Sequence, residues 1–176
     1  MKTVKFISGF CVVKLIEENF ISLNPSSGES MLPTIQPQND WLLIWNFLRS
    51  YSFLDNLMIG DVVVAMKPTS SNTRVCKRIL AKEGDIILLD PASKSKLSTV
   101  AYYLNNLEKD NCFEHKFIRV PKGHVWLGGD NTEFSVDSRN YGFVPIGLIE
   151  GKVIYHINFN KSFYKFEKLV NSYKDI

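Results

Sequence analysis

No block of lysine and arginine runs through this chain, and it has no CxxC pair, no HExxH and no uncharged apolar stretch of about twenty residues. Each absence excludes something. The 21 basic residues against 18 acidic ones leave a formal charge of only +3, so composition gives no support for nucleic-acid binding. Cys11, Cys76 and Cys112 form an odd, widely spaced set, which argues against both a zinc site and a disulfide framework. His115, His124 and His156 stand alone and read as surface or strand-end residues, so the common metalloprotease signature is absent and no metal or cofactor is expected. What remains is a chain of 176 residues with 45% hydrophobic content, enough for one domain with its own core.

The leading segment is apolar but interrupted. Its longest uncharged part, residues 6–13, is too short to span a bilayer, and residues 3–23 reach spanning length only by including four charges, Lys5, Lys14, Glu17 and Glu18. Lys2 and Lys5 in front fit a positive-inside orientation with the remainder translocated. A membrane anchor and an amphipathic or cleaved leader both remain open for residues 1–23.

Two stretches carry chemistry. In Ser26-Ser27-Gly28-Glu29-Ser30-Met31-Leu32-Pro33-Thr34, one serine lies between a glycine that permits a bend and a proline that fixes its own φ. Alone, this reads either as a solvated turn or as a nucleophile held out for attack. In Thr73-Arg74-Val75-Cys76-Lys77-Arg78-Ile79-Leu80, strand alternation sets Val75, Lys77 and Ile79 on one face and Arg74, Cys76 and Arg78 on the other. A lysine between two β-branched apolar neighbours is either a snorkelling surface residue or an amine that burial could turn into a base.

The rest reads as short strands and turns. Trp41-Leu42-Leu43-Ile44-Trp45-Asn46-Phe47 predicts a strand that is either buried on both faces or turns one face to lipid. Gly60-Asp61 feeds the strand Val62-Val63-Val64-Ala65-Met66, and Gly84-Asp85 feeds Ile86-Ile87-Leu88-Leu89. Residues 91–116 read as a polar insertion. Strands follow at Phe117-Ile118-Arg119-Val120, His124-Val125-Trp126-Leu127 and Lys152-Val153-Ile154-Tyr155-His156, with a loop rich in Asp, Asn and Ser from Gly128 to Gly142. Phe159, Phe163, Phe166 and Val170, with Lys161, Lys165 and Lys168 between them, predict an amphipathic C-terminal helix.

Four segments, in order, resemble the boxes of type I signal peptidases. They are Ser30-Met31-x-Pro33-Thr34, Gly60-Asp61-Val62-Val63, Lys77-Arg78 with Gly84-Asp85, and Gly129-Asp130-Asn131 with Ser135-x-Asp137-Ser138-Arg139-x-x-Gly142. Any one is weak, but the set is specific. Lys67-Pro68-Thr69, Cys76-Lys77-Arg78, Gly123-His124-Val125-Trp126 and Gly147-Leu148-Ile149-x-Gly151-Lys152 draw the likeness towards the mitochondrial inner-membrane branch of that family.

The resemblance implies a mostly β fold of coiled antiparallel sheets, with an anchor helix in residues 1–23, a peptidase domain in 24–157 and a C-terminal amphipathic segment in 158–176. It implies Ser30 as nucleophile and Lys77 as general base, a serine endopeptidase dyad without histidine. Ser135 would orient the lysine. Asp130, Asp137, Arg139 and Arg78 would brace the site through ion pairs, and the Ser30 backbone N–H would hold the oxyanion. At residue 28, where some members carry a second, serine donor, this chain has glycine, and Lys82-Glu83 stands where many have Leu-Pro. The implied partners are an extended precursor peptide bound by β-pairing, a related second catalytic subunit and the mitochondrial inner membrane, with the catalytic domain facing the intermembrane space. A bacterial-type signal peptidase and a non-catalytic scaffolding subunit are the alternatives.

Overall fold

The computed structural model describes residues 20–38, 40–46, 56–70, 72–89, 116–158, 165–171 and 173. Residues 1–19 of the leading segment, 91–115 of the insertion, and Phe159 and Phe163 of the predicted helix lie outside the described residues.

The valine-rich centre of the chain sets the architecture. Strand β3 (Val62–Met66) sends Val63 and Ala65 into one apolar cluster and Val62 and Val64 into another, so its β-branched run is buried on both faces. The first cluster gathers Leu57, Ile79, Val125, Leu127, Tyr141, Val144 and Ile149. Met31, Ile35, Leu42, Ile44 and Val153 join the second. A third cluster, of Ala81, Ile118, Val120, Trp126 and Phe143, includes an edge-on ring contact between Trp126 and Phe143, centroids 5.4 Å apart at 66°.

The other elements are β1 (Ile21–Pro25), β2 (Asp40–Trp45), β4 (Arg74–Lys82), β5 (Ile86–Leu89), β6 (Lys116–Arg119), β7 (His124–Gly128), a one-turn helix α1 (Ser138–Tyr141), β8 (Val144–Pro145), β9 (Ile149–Asn158) and β10 (Lys165–Lys168). One antiparallel sheet runs β1-β2-β9-β3-β4-β7-β8, with β10 added to β9, and β5-β6 form a separate ribbon. The long β9 is its spine. One edge of β9 takes β2, and the other takes β3 and then β10. Register shifts at Leu43/Ile44, Val64/Ala65 and Ile79/Ala81 add local twist, so the sheet coils, in agreement with the expected fold class.

Two elements differ from expectation. The aromatic spacing near the C-terminus predicts a helix, but Lys165–Lys168 is a strand paired with Tyr155–Asn158 positions of β9. Backbone pairing at the edge of β9 left open beyond β3 outcompetes a helix with too few turns to stabilise itself. The second concerns the leading segment: Ile21, Ser22 and Leu23, counted there with the anchor, belong to β1 and pair with Trp45, Ile44 and Leu43. Among the described residues no helix is long and apolar enough to cross a membrane.

Candidate active site

Ser30 sits in a run of turns between β1 and β2. Met31 and Ile35 flank it as buried plugs in the second apolar cluster, and their placement leaves the Ser30 side chain half-buried at the edge of the core. Local bonds tighten the segment: Leu32 N donates to Glu29 O at 3.2 Å and Ile35 N to Met31 O at 2.9 Å. The Leu32–Pro33 bond is cis, and Gly28 takes φ 88°, a value that favours glycine.

Strand β4 delivers the partner. Lys77 lies 3% exposed in mid-strand, opposite Val63, and its Nζ donates to Ser30 Oγ at 2.5 Å. As the alternation predicts, Val75 and Ile79 pack with the first cluster while Cys76 packs with the second. Burial lowers the Lys77 amine from its ordinary value of 10.5, because the ammonium loses hydration there; the charge of Asp137 pulls the other way without cancelling the effect. Burial on the other face pushes the neighbouring Cys76 thiol up to about 12, which keeps it protonated at neutral pH.

Two ion pairs frame the dyad. Arg78 grips Asp130 with both ends of its fork, Nε to Oδ1 at 2.8 Å and Nη2 to Oδ2 at 2.6 Å, and its Nη1 donates to Gly60 O at 2.7 Å. Thr34 Oγ1 donates to Asp130 Oδ2 at 2.5 Å, tying this pair to the serine segment. Asp137, whose side chain is fully buried, accepts from Gly129 N, Ser135 Oγ and Arg139 N, and from Arg139 Nε and Nη2. Burial alone would raise both carboxyls. The hydrogen bonds from Arg78 and Thr34 to Asp130, and from Arg139, Ser135 and backbone N–H groups to Asp137, outweigh it and hold both below the ordinary value of 3.8.

The structure thus brings together all seven side chains singled out in the sequence: Ser30, Lys77, Arg78, Asp130, Ser135, Asp137 and Arg139. The Ser135 hydroxyl donates to Asp137 Oδ2 at 2.7 Å, to the carboxylate and not to the lysine. It still lies at the dyad. A Cβ placed on Gly129 would stand 2.2 Å from Ser135 Oγ and 2.5 Å from Ser30 O, so this approach admits only glycine. Sequence reasoning gave no role to Thr34, within the first box, or to Asn131, whose N donates to Ser30 O at 3.0 Å and Nδ2 to Glu29 O at 3.1 Å. The signal for Asn131 was only its place beside Asp130.

Among the described residues the Ser30 N–H has no hydrogen-bond acceptor, which leaves it available to a developing oxyanion. Gly28 has no side chain to supply a second donor, and a Cβ placed there would meet nothing within 4 Å. Among the described residues no group of three or more His, Cys, Asp or Glu could hold a metal ion.

A serine hydroxyl bonded to a desolvated lysine amine, beside an unoccupied backbone N–H, is the geometry of a Ser/Lys hydrolase. The chain belongs to the signal peptidase family, peptidase S26, whose model matches residues 1–157. It is a serine endopeptidase of the signal peptidase type. It is 37% identical over 158 residues to the Saccharomyces cerevisiae protein named mitochondrial inner membrane protease subunit 1, covering 90% of this chain and 78% of that one. The Schizosaccharomyces pombe protein of the same name is 40% identical over 146 residues, covering 81% and 76%. Among solved structures, a signal peptidase I from Enterococcus faecalis aligns at 25% identity with a TM-score of 0.39, over 55% of this chain and 96% of that one.

Proposed function

We propose that the protein removes N-terminal sorting peptides from precursors delivered to the mitochondrial intermembrane space, with Ser30 as nucleophile and Lys77 as general base. The observation that carries this reading is the 2.5 Å contact from Lys77 Nζ to Ser30 Oγ at a buried amine whose pKa is lowered. Neutral Lys77 takes the Ser30 hydroxyl proton as Oγ bonds to the scissile carbonyl carbon, and the carbonyl π electrons move to its oxygen. The Ser30 N–H stabilises that oxyanion. Collapse breaks the C–N bond, and the Lys77 ammonium gives its proton to the leaving amine, the new N-terminus of the mature protein. Lys77 then deprotonates water, which attacks the ester and frees the sorting peptide as a carboxylate while Ser30 regains its proton.

Asp130, fixed by Arg78 and bonded to Thr34, holds the serine segment against the 129–137 loop, Asp137 with Arg139 closes that loop on itself, and Ser135 lines the dyad. The extended substrate binds by backbone pairing. The apolar segment ahead of β1 attaches the chain to the inner membrane, and the domain faces the intermembrane space. The name subunit 1 in both yeast relatives supports assembly with a related second catalytic chain.

The test is cleavage of a synthetic peptide spanning a sorting-peptide junction, followed by mass spectrometry, with full-length wild type and Ser30→Ala. Wild type should release two fragments and Ser30→Ala neither. Equal cleavage by both would remove Ser30 from the chemistry.

A further inference from the structure

Resting on the Ser30 reading, we infer that Asp40 is a positioning residue for the nucleophile: it clips both ends of the segment that carries Ser30 to the central sheet. Its backbone carbonyl accepts Ser26 N at 2.7 Å, and its carboxylate Oδ2 accepts Gln36 N at 2.8 Å. One residue therefore closes the loop 26–36 on itself. Asp40 is 1% exposed and opens β2, the strand whose Leu42 and Ile44 pack beneath the plugs Met31 and Ile35.

The carboxylate is itself fixed from β9. Asn158 Nδ2 donates to Oδ1 at 2.5 Å, and His156 Nδ1 lies 3.3 Å from Oδ2. The other ring nitrogen of His156 lies 3.1 Å from Glu167 of β10. A chain of contacts thus runs from the C-terminal strand through His156 and Asp40 to Gln36. β10 lies beyond residue 157, where the match to the family model ends. A buried carboxylate is costly unless hydrogen-bonded, and here its partners divide between the sheet and the serine segment. Asn131 and Asp130 hold the middle of that segment from the opposite loop. Asp40 supplies the reference to the sheet, and with both in place Ser30 Oγ has one position relative to Lys77.

Displacement of a reacting group by about 1 Å costs on the order of a hundredfold, so freeing the Gln36 end should act on turnover and not on binding. The experiment measures kcat and KM for peptide cleavage by full-length wild type, Asp40→Ala, Asp40→Asn, Asn158→Ala and Ser30→Ala, each normalised to folded protein by circular dichroism. Asp40→Ala should lose about tenfold or more in kcat with KM within about twofold of wild type. Asp40→Asn should recover part of that loss, because an amide oxygen can accept the Gln36 N–H although its Nδ2 cannot accept from Asn158. Should Asp40→Ala not fold, Asn158→Ala reads the same point, and a lowered kcat with unchanged KM supports the role.

Wild-type kcat in folded Asp40→Ala, or in folded Asn158→Ala where the former cannot be read, overturns the inference. So does a loss confined to KM, or an asparagine variant no better than alanine. Ser30→Ala separates the two levels: its inactivity beside a fully active Asp40→Ala overturns only the positioning role, whereas activity in Ser30→Ala overturns the Ser30 reading and this inference with it.

Discussion

At the scale of single residues, the site depends on keeping one amine poorly hydrated and two carboxylates fully paired. Lys77 has burial against it and the charges of Asp137 and Asp130 among those in its favour, whereas Asp137 accepts five hydrogen bonds, two of them from one guanidinium. Removing the Asp137 carboxylate leaves Ser135 and the Gly129 N–H without their partner, while Arg139, a third exposed, turns to water, so Asp137→Ala should cost about 1 to 3 kcal/mol, measured by denaturant unfolding at neutral pH. Because its folded pKa lies below the ordinary 3.8, this stability is present above that value and is lost as pH falls through the folded pKa. The wild-type unfolding midpoint should therefore drop in acid more steeply than that of Asp137→Ala; parallel acid profiles would contradict the assignment. Lys77 stood out in the sequence by strand alternation and Ser30 by its place between Gly28 and Pro33, and the ordered boxes pointed at both. Thr34 and Asn131 act through contacts across 96 and 102 positions of chain, and no local pattern announces a partner that distant.

At the scale of elements, β1 and β2 present one face to the outside. Ile21 pairs with Trp45, Leu23 with Leu43 and Pro25 with Trp41, so these side chains share a face opposite the buried Leu42 and Ile44. Ile21, Leu23, Trp41 and Trp45 are 36–42% exposed, which resolves the two readings of the tryptophan run: one face is core and the other is open. Amphipathic indoles at such a face suit a bilayer interface. Replacing Trp41 and Trp45 together by alanine should weaken binding to phospholipid vesicles about tenfold, the worth of roughly 60 Å² of apolar surface at about 25 cal/mol per Å². Unchanged vesicle binding alongside lowered stability would make these residues core and not contact. The strands were legible from period-two alternation and glycine-bounded turns. The C-terminal strand was not, since an aromatic spacing near 3.6 says nothing about an open edge of β9 waiting elsewhere in the fold. Instead of standing free, that segment brings Asn171 onto the Gly60-Asp61 turn, with hydrogen bonds to Ile59 O at 2.8 Å and Asp61 Oδ1 at 3.0 Å.

At the scale of the whole molecule, a coiled sheet joins three things: a β1 edge that follows the apolar leading segment, the loop of Ser30 seated on the core, and the buried strand that carries Lys77. The central claim is that Lys77 works as a neutral amine, and the pH dependence of kcat/KM for peptide cleavage tests it most directly. Wild type should gain activity as pH rises through an apparent pKa below the lysine's ordinary 10.5, because burial disfavours the ammonium. Lys77→Arg keeps the charge and cannot be deprotonated, so it should stay folded by circular dichroism and show no cleavage at any pH. Substantial activity in the folded arginine variant, or a wild-type profile flat across the same range, would contradict the account.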